Sequence, residues 1–125
     1  MTLYESFWEA VTTEYDTLRV LKQSPRGTVS VVRHKKSGTR YVFRRYSGSG
    51  EVYRRLLPVL CPHLPQIMEA AEQDGQTAVL EEYVQGDTLA ELLMGARLTE
   101  REARQVTMQL CQALHVLHSM GAVHR

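Results

Sequence analysis

Residues 98–125 read LTEREARQVTMQLCQALHVLHSMGAVHR, and the fold is decided here. Thr99 followed three positions later by Glu102 predicts a capping box, in which hydroxyl and carboxylate satisfy N–H groups orphaned in a helix's first turn. Ala103, Val106, Leu110, Leu114 and Leu117 then recur at spacings of three and four, which predicts one apolar helix face. Gly121 predicts the stop, because it enters the left-handed region without a Cβ penalty. Ala122 and Val123 begin an extended run that leads into His124 and Arg125.

Outside this stretch, composition bounds the class. The 125 residues allow one domain with a core of its own. They are 43% hydrophobic and 23% charged with a formal net charge of +1, which points away from disorder and from a membrane protein. No apolar run nears the ~20 residues that span a bilayer. The opening MTLYESFWEA lacks the basic and apolar regions of a signal peptide. Cys61 and Cys111 stand apart without C-x-x-C spacing, so no zinc site or disulfide framework is indicated and a reducing cytoplasm is expected. Charge is unevenly spread: between Arg19 and Arg55 the only acid is Glu51, whereas acids prevail from Glu69 to Glu102. A basic half can bind phosphate or nucleic acid, but no aromatic interleaving or nucleic-acid motif accompanies it, so a solvated sheet face is the simpler reading.

The N-terminal part alternates as strands do. Residues 3–12 predict a short helix that packs on a sheet through Leu3, Phe7, Trp8 and Val11. Residues 15–21, 28–33 and 39–46 are rich in β-branched and aromatic residues and predict three consecutive antiparallel strands, joined at residues 24–27 and 36–38. Residues 47–50, SGSG, predict a flexible break. A short helical run follows at residues 51–60, limited by Pro58, and residues 61–65 read as extended. Residues 66–71 and 77–82 predict a second hairpin turning at Asp74-Gly75. Asp87 is the expected cap of a helix running through Met94. Cys111, His115 and His118 share a helix face in a way that could meet a metal, but no fourth ligand is offered and packing is the simpler role. Met94, Met108 and Met120 read as gap-fillers.

A helix, a glycine turn, a short apolar strand and then His124-Arg125 resembles the approach to the catalytic loop of protein kinases. Residues 61–89, CPHLPQIMEAAEQDGQTAVLEEYVQGDTL, resemble bacterial members of the eukaryotic-type Ser/Thr kinase family. The resemblance covers about residues 15–125. It implies an α+β fold: a kinase small lobe, with a five-stranded antiparallel sheet and one helix, followed by two helices of the large lobe. The implied divisions are an N-terminal helix at 1–14, the small lobe at 15–84 and the start of the large lobe at 85–125, with a cleft between lobes. In the family, His-Arg is followed by an Asp that accepts the substrate hydroxyl's proton. The resemblance therefore implies a kinase cut just ahead of its chemistry and inactive by itself. ATP is the implied cofactor, and the residues that hold Mg²⁺ would lie beyond this stretch.

The family's motifs map onto this chain with departures. Leu21 and Val29 flank the glycine-rich loop, whose three glycine positions hold Lys22, Ser24 and Gly27, with Pro25 removing a donor at the tip. Gly27 could equally be a turn glycine. At the third strand's V-A-I-K motif stand Tyr41, Val42, Phe43 and Arg44, so the phosphate-contacting Lys becomes Arg. Arg44 and Arg45 could instead be surface cations. The Glu that partners the Lys falls at or near Glu51. Glu81, Glu82, Tyr83 and Val84 occupy the hinge, where Glu82 and Val84 would meet adenine through their main chains. Glu81 takes a position that lines the adenine pocket and is usually apolar. It must be paired, with Arg44 one partner in reach, or else the hinge is shifted and Glu81 faces solvent. The departures leave open a pseudokinase that scaffolds without using ATP, and, further off, a small-molecule phosphotransferase. Implied partners are a protein substrate, and either the remainder of a large lobe or a second copy, through the helix from Ala103 to Leu117.

Overall fold

A computed structural model of the chain describes residues 1–123; His124 and Arg125, both expected site residues, lie outside the described residues. The chain divides into two compact units, Met1–Leu60 with Pro65–Tyr83, and Cys61–Leu64 with Val84–Arg125.

The first unit holds the expected sheet. Five antiparallel strands, β1 (Tyr15–Ser24), β2 (Gly27–His34), β3 (Arg40–Ser47), β4 (Ile67–Gln73) and β5 (Gln76–Glu82), lie in the order β1-β2-β3-β5-β4. Because β3 pairs with β5, the two hairpins become one sheet with β1 and β4 at its edges. Two register shifts in β1, between Thr17 and Arg19 and between Val20 and Lys22, leave Leu18 and Leu21 without partners across the ladder. These bulges twist an edge that would otherwise invite a further strand.

Strand alternation gives each face its own layer. On one face, helix α1 (Leu3–Glu14) buries Phe7 and Val11 against Val32, Phe43, Ala71, Ala78 and Leu80. The Phe, Val and Leu side chains among these each contribute about 1.5–3 kcal/mol when fully buried. Thr2 starts α1 with a capping box on Glu5 and also donates from its hydroxyl to Gln73 on β4. Trp8 lies over the Arg45 guanidinium, 4.3 Å from carbon to ring centre. Arg45 is thus held by an aromatic face, a cation–π contact, and is no idle surface cation. On the other face, Ile67, Ala70 and Val79 pack with Tyr46 and with Tyr53, Leu56 and Leu57 of and after helix α2 (Glu51–Leu56). That helix has six residues and stops short of the expected Leu60, as Pro58 requires.

The SGSG break is tied down, contrary to its flexible composition. Ser47 N donates to Arg26 O at 2.9 Å, Gly48 N to Gly75 O at 2.7 Å and Gly50 N to the Glu72 carboxylate at 2.9 Å. Fully buried Thr77 donates to Gly48 O at 2.7 Å, and Tyr46 Oη to Ser49 O at 2.7 Å. Gly48 has φ +146°, and a Cβ on Gly50 would stand 2.7 Å from Thr77 Cγ2. Here glycine serves close approach and an unusual φ more than freedom of movement.

In the second unit, residues 61–64 form a turn, with Leu64 N donating to Cys61 O at 3.1 Å, where an extended run was expected. Helix α3 (Leu89–Gly95) is capped by Thr88, whose Oγ1 accepts from Glu91 N at 3.1 Å. Asp87 was the expected cap. Thr88-x-x-Glu91 is itself a capping-box spacing, which makes Thr88 the better candidate. Helix α4 (Glu100–Ser119) begins with the Thr99–Glu102 capping box as expected. It ends in a Schellman motif: Gly121, at φ +76°, donates to His118 O and Ala122 N donates to Leu117 O, both at 3.0 Å. Of the apolar face drawn for α4, Val106, Leu114 and Leu117 are half-buried, while Ala103 and Leu110 are exposed; Ala113 is the buried residue. Met94 and Met108 are exposed as well, so neither fills a gap.

Candidate functional site

The β1–β2 turn is a tight one, Ser24-Pro25-Arg26-Gly27, with Gly27 paired to Ser24 across it. Gly27 closes this turn without a positive φ. A Cβ there would lie 2.7 Å from Tyr46 Cα on β3 and closer still to the Arg45 carbonyl oxygen. Gly27 is required because two strands approach closely. Pro25 has no N–H to offer, and the Arg26 N–H is taken by Ser24 Oγ at 3.3 Å. The tip of this turn therefore presents few main-chain donors and instead carries side-chain cations.

Under the turn lies a cavity of about 250 Å³. Lys22, Ser24 and Gly27, the three positions aligned with the glycine-rich loop, all line it, together with Val29 and Arg44. Arg26, within the joint expected at residues 24–27, lines it too. Its place at a two-residue hairpin tip was the signal that could have singled it out.

Arg44 is fixed from β5. Its Nε donates to Glu81 Oε2 at 3.1 Å and its Nη2 to Glu81 Oε1 at 3.0 Å, a two-pronged contact. Val42 stands opposite Glu81 in the ladder and Arg44 opposite Val79, so Arg44 and Glu81 are diagonal neighbours on one face. Glu81 is 7% exposed, so it is the paired carboxylate of the two expectations and does not face solvent. Hydrogen bonding to Glu81 raises the Arg44 guanidinium above its ordinary value, and the opposing cost of burial is the smaller effect. Tyr53 of α2 borders the same cavity; burial pushes its phenol up, and the Arg44 charge draws it partly back.

The remaining expected residues are placed as follows. Glu51 forms an ion pair with Arg55 one turn along α2 and none with Arg44, which corrects the expected pairing. The cause is geometric: residues 47–50 are pinned and α2 is short, so its first residue stays away from the β3 cation. Val42 is buried in β3. Leu21 sits at a bulge of β1 and is half exposed. Glu82 closes β5, its N–H donating to Gln66 O at 2.8 Å. Val84 belongs to the second unit and is exposed. Cys111 and His115 share an apolar cavity of about 460 Å³ with Cys61 and His63 in that unit, and no three His, Cys, Asp or Glu among the described residues are placed to hold a metal.

A family model described as "Protein kinase domain" matches residues 25–125. Rho-associated protein kinase 1 of Homo sapiens is 26% identical over 123 residues, a match covering 90% of this chain and 9% of that protein. NUAK family SNF1-like kinase 2 of Rattus norvegicus is 37% identical over 65 residues, covering 51% of this chain and 10% of that protein. The chain thus spans about a tenth of the length of these curated relatives. Among solved structures, Rad53 1–466 in complex with AMP-PNP superposes with a TM-score of 0.75 at 20% identity, over 92% of this chain and 33% of that one. At that identity the likeness is one of fold.

Proposed function

The chain belongs to the protein kinase domain family, and from that premise we propose that it supplies the nucleotide-binding part of a Ser/Thr protein kinase, in which ATP donates its γ-phosphoryl group to a protein hydroxyl. The observation that carries this reading is the cavity under the β1–β2 turn, where Lys22, Arg26 and Arg44 converge beside Val29. Lys22, Arg26 and Arg44 around about 250 Å³ suit a polyphosphate, while Arg45, which also borders the cavity, has its guanidinium against Trp8. With the turn's main chain largely engaged, the phosphates are held by side-chain charge. Such binding weakens as salt screens it.

Nucleotide binding is the step this reading assigns to these 125 residues. Catalysis needs the remainder of a large lobe, and the exposed Met108 and Leu110 of α4 are where it, or a second copy of the chain, would pack. No described helix is long and apolar enough to cross a membrane. A reducing cytoplasm suits the two free thiols, Cys61 and Cys111.

The test is titration of the 125-residue chain with Mg·ATP, followed by amide NMR shifts. Movement of Gly27, Val29 and Val42, fading as salt rises, is the expected result. Silence at millimolar ATP favours a second reading, a pseudokinase-type scaffold. That reading draws on one observation: the Arg44 guanidinium already has a carboxylate partner in Glu81.

A further inference from the structure

We propose that Glu81 is the positioning residue for Arg44: it fixes the guanidinium against the nucleotide phosphates from within the sheet, a task that no acid on α2 performs here. The inference rests on the nucleotide-binding reading above. A guanidinium has five N–H donors. The fork to Glu81 uses two of them, the one on Nε and one on Nη2. The three others leave an edge of the group for a second anion, and Arg44 lines the cavity beneath the β1–β2 turn.

Burial makes the fork a rigid support. Glu81 sits among core strands at 7% exposure, on a β5 whose other buried residues are the fully enclosed Thr77, Ala78 and Val79 and the nearly enclosed Leu80. A carboxylate so placed has few geometries open to it, and it passes that restriction to Arg44 through two hydrogen bonds. α2 offers no substitute. Its acid, Glu51, is paired with Arg55, and the α2 side chain at the shared cavity is the phenol of Tyr53. The consequence is a phosphate-facing cation whose position follows from strand pairing of β3 with β5 and is indifferent to movements of α2.

Glu81 could alternatively quench Arg44 by neutralising it, and experiment separates the two. Affinities for Mg·ATP and for adenosine are measured by calorimetry on the 125-residue chain carrying E81Q or E51Q, alongside the unaltered chain. Gln keeps the shape of Glu but can accept only one of the two bonds. The expected result is roughly tenfold weaker ATP binding in E81Q, with adenosine affinity within about twofold of the unaltered chain. Unchanged or tighter ATP binding in E81Q overturns the proposal, as does a loss of ATP affinity in E51Q that E81Q does not show. Should E81Q fail to fold, the Arg44 Nε–H resonance of the unaltered chain decides. It is expected to stay protected from exchange while ATP shifts it, and loss of protection on ATP addition overturns the positioning role. Absence of ATP binding in the unaltered chain is a different failure, which removes the nucleotide-binding reading and this inference with it.

Discussion

Phe7 of α1 meets Phe43 of β3 edge to face, with ring centres 5.8 Å apart. Phe7 precedes the span matched by the kinase family, residues 25–125, yet it is 3% exposed and sits at the centre of that face's core. Phe43 lies next to Arg44 in sequence and points to the opposite face. The packing of α1 therefore bears on the strand that carries the candidate phosphate-binding cation.

Phe7→Ala is expected to destabilise the first unit by about 3 kcal/mol, the usual cost of emptying a buried aromatic site. Urea unfolding followed by tryptophan fluorescence reads this directly, since Trp8 packs on Phe43 at 5.9 Å. A shift in midpoint below a few tenths of a kcal/mol would show that α1 is an ornament on the sheet.

Gly27→Ala is expected to cost about 1–3 kcal/mol, the range for overpacking, because the new methyl meets the β3 main chain and no flexible side chain. The β2–β3 register opposite Arg45 and Tyr46 should loosen, seen as faster amide exchange at Thr28 and Tyr46. Gly38→Ala is the comparison. There φ is +72° with open space around it, so a smaller loss, from backbone strain alone, is expected.

Much of this could be read in advance, and particular residues show why. Period-two alternation and β-branched runs give the strands because each face buries a different layer. Thr99 with Glu102 and the glycine at 121 give both ends of α4 because capping is local chemistry. The same local rule would have found Thr88 had its spacing to Glu91 been weighed against Asp87. Pairings between distant strands were harder. Arg44 and Glu81 are separated by 37 positions, and their contact depends on β3 and β5 being neighbours in a particular register. The pinning of SGSG was hidden for the same reason, since its partners Gly75, Thr77 and Glu72 come from the far hairpin. Composition reports freedom in the unfolded chain and is silent about partners.

The cap of α4 gives a pH dependence with a definite sign. The Glu102 carboxyl is lowered below its ordinary value, first by the hydrogen bond it accepts from the Thr99 backbone N–H and then by the Thr99 side chain. A carboxyl lowered on folding adds stability that is complete above its unfolded value and is lost as pH falls through the folded one. Helicity of α4 by far-UV circular dichroism should decline on acidification through the carboxylate range, and Glu102→Gln should flatten that decline. Thr99→Ala, which removes the other half of the box, is expected to cost about 1 kcal/mol at neutral pH.

The Arg44–Glu81 fork makes a prediction about stability that is separate from any ligand. Removing either partner strands the other, and a carboxylate at 7% exposure is the worse one to strand. A fully buried pair broken in this way costs about 3–5 kcal/mol, but the Arg44 side chain is 36% exposed and solvent screens its end of the contact. Arg44→Leu is therefore expected to cost about 2 kcal/mol, and Glu81→Leu less, since a freed Arg44 can turn its charge to water. Arg44→Leu with Glu81→Leu removes both charges and their desolvation together, so the double variant should be more stable than Arg44→Leu alone. A coupling of about 1–2 kcal/mol from the double-mutant cycle, measured by chemical denaturation, is the expected value. Additive losses would mean that the two groups stabilise the sheet independently and that the fork, although formed, carries no energy of its own.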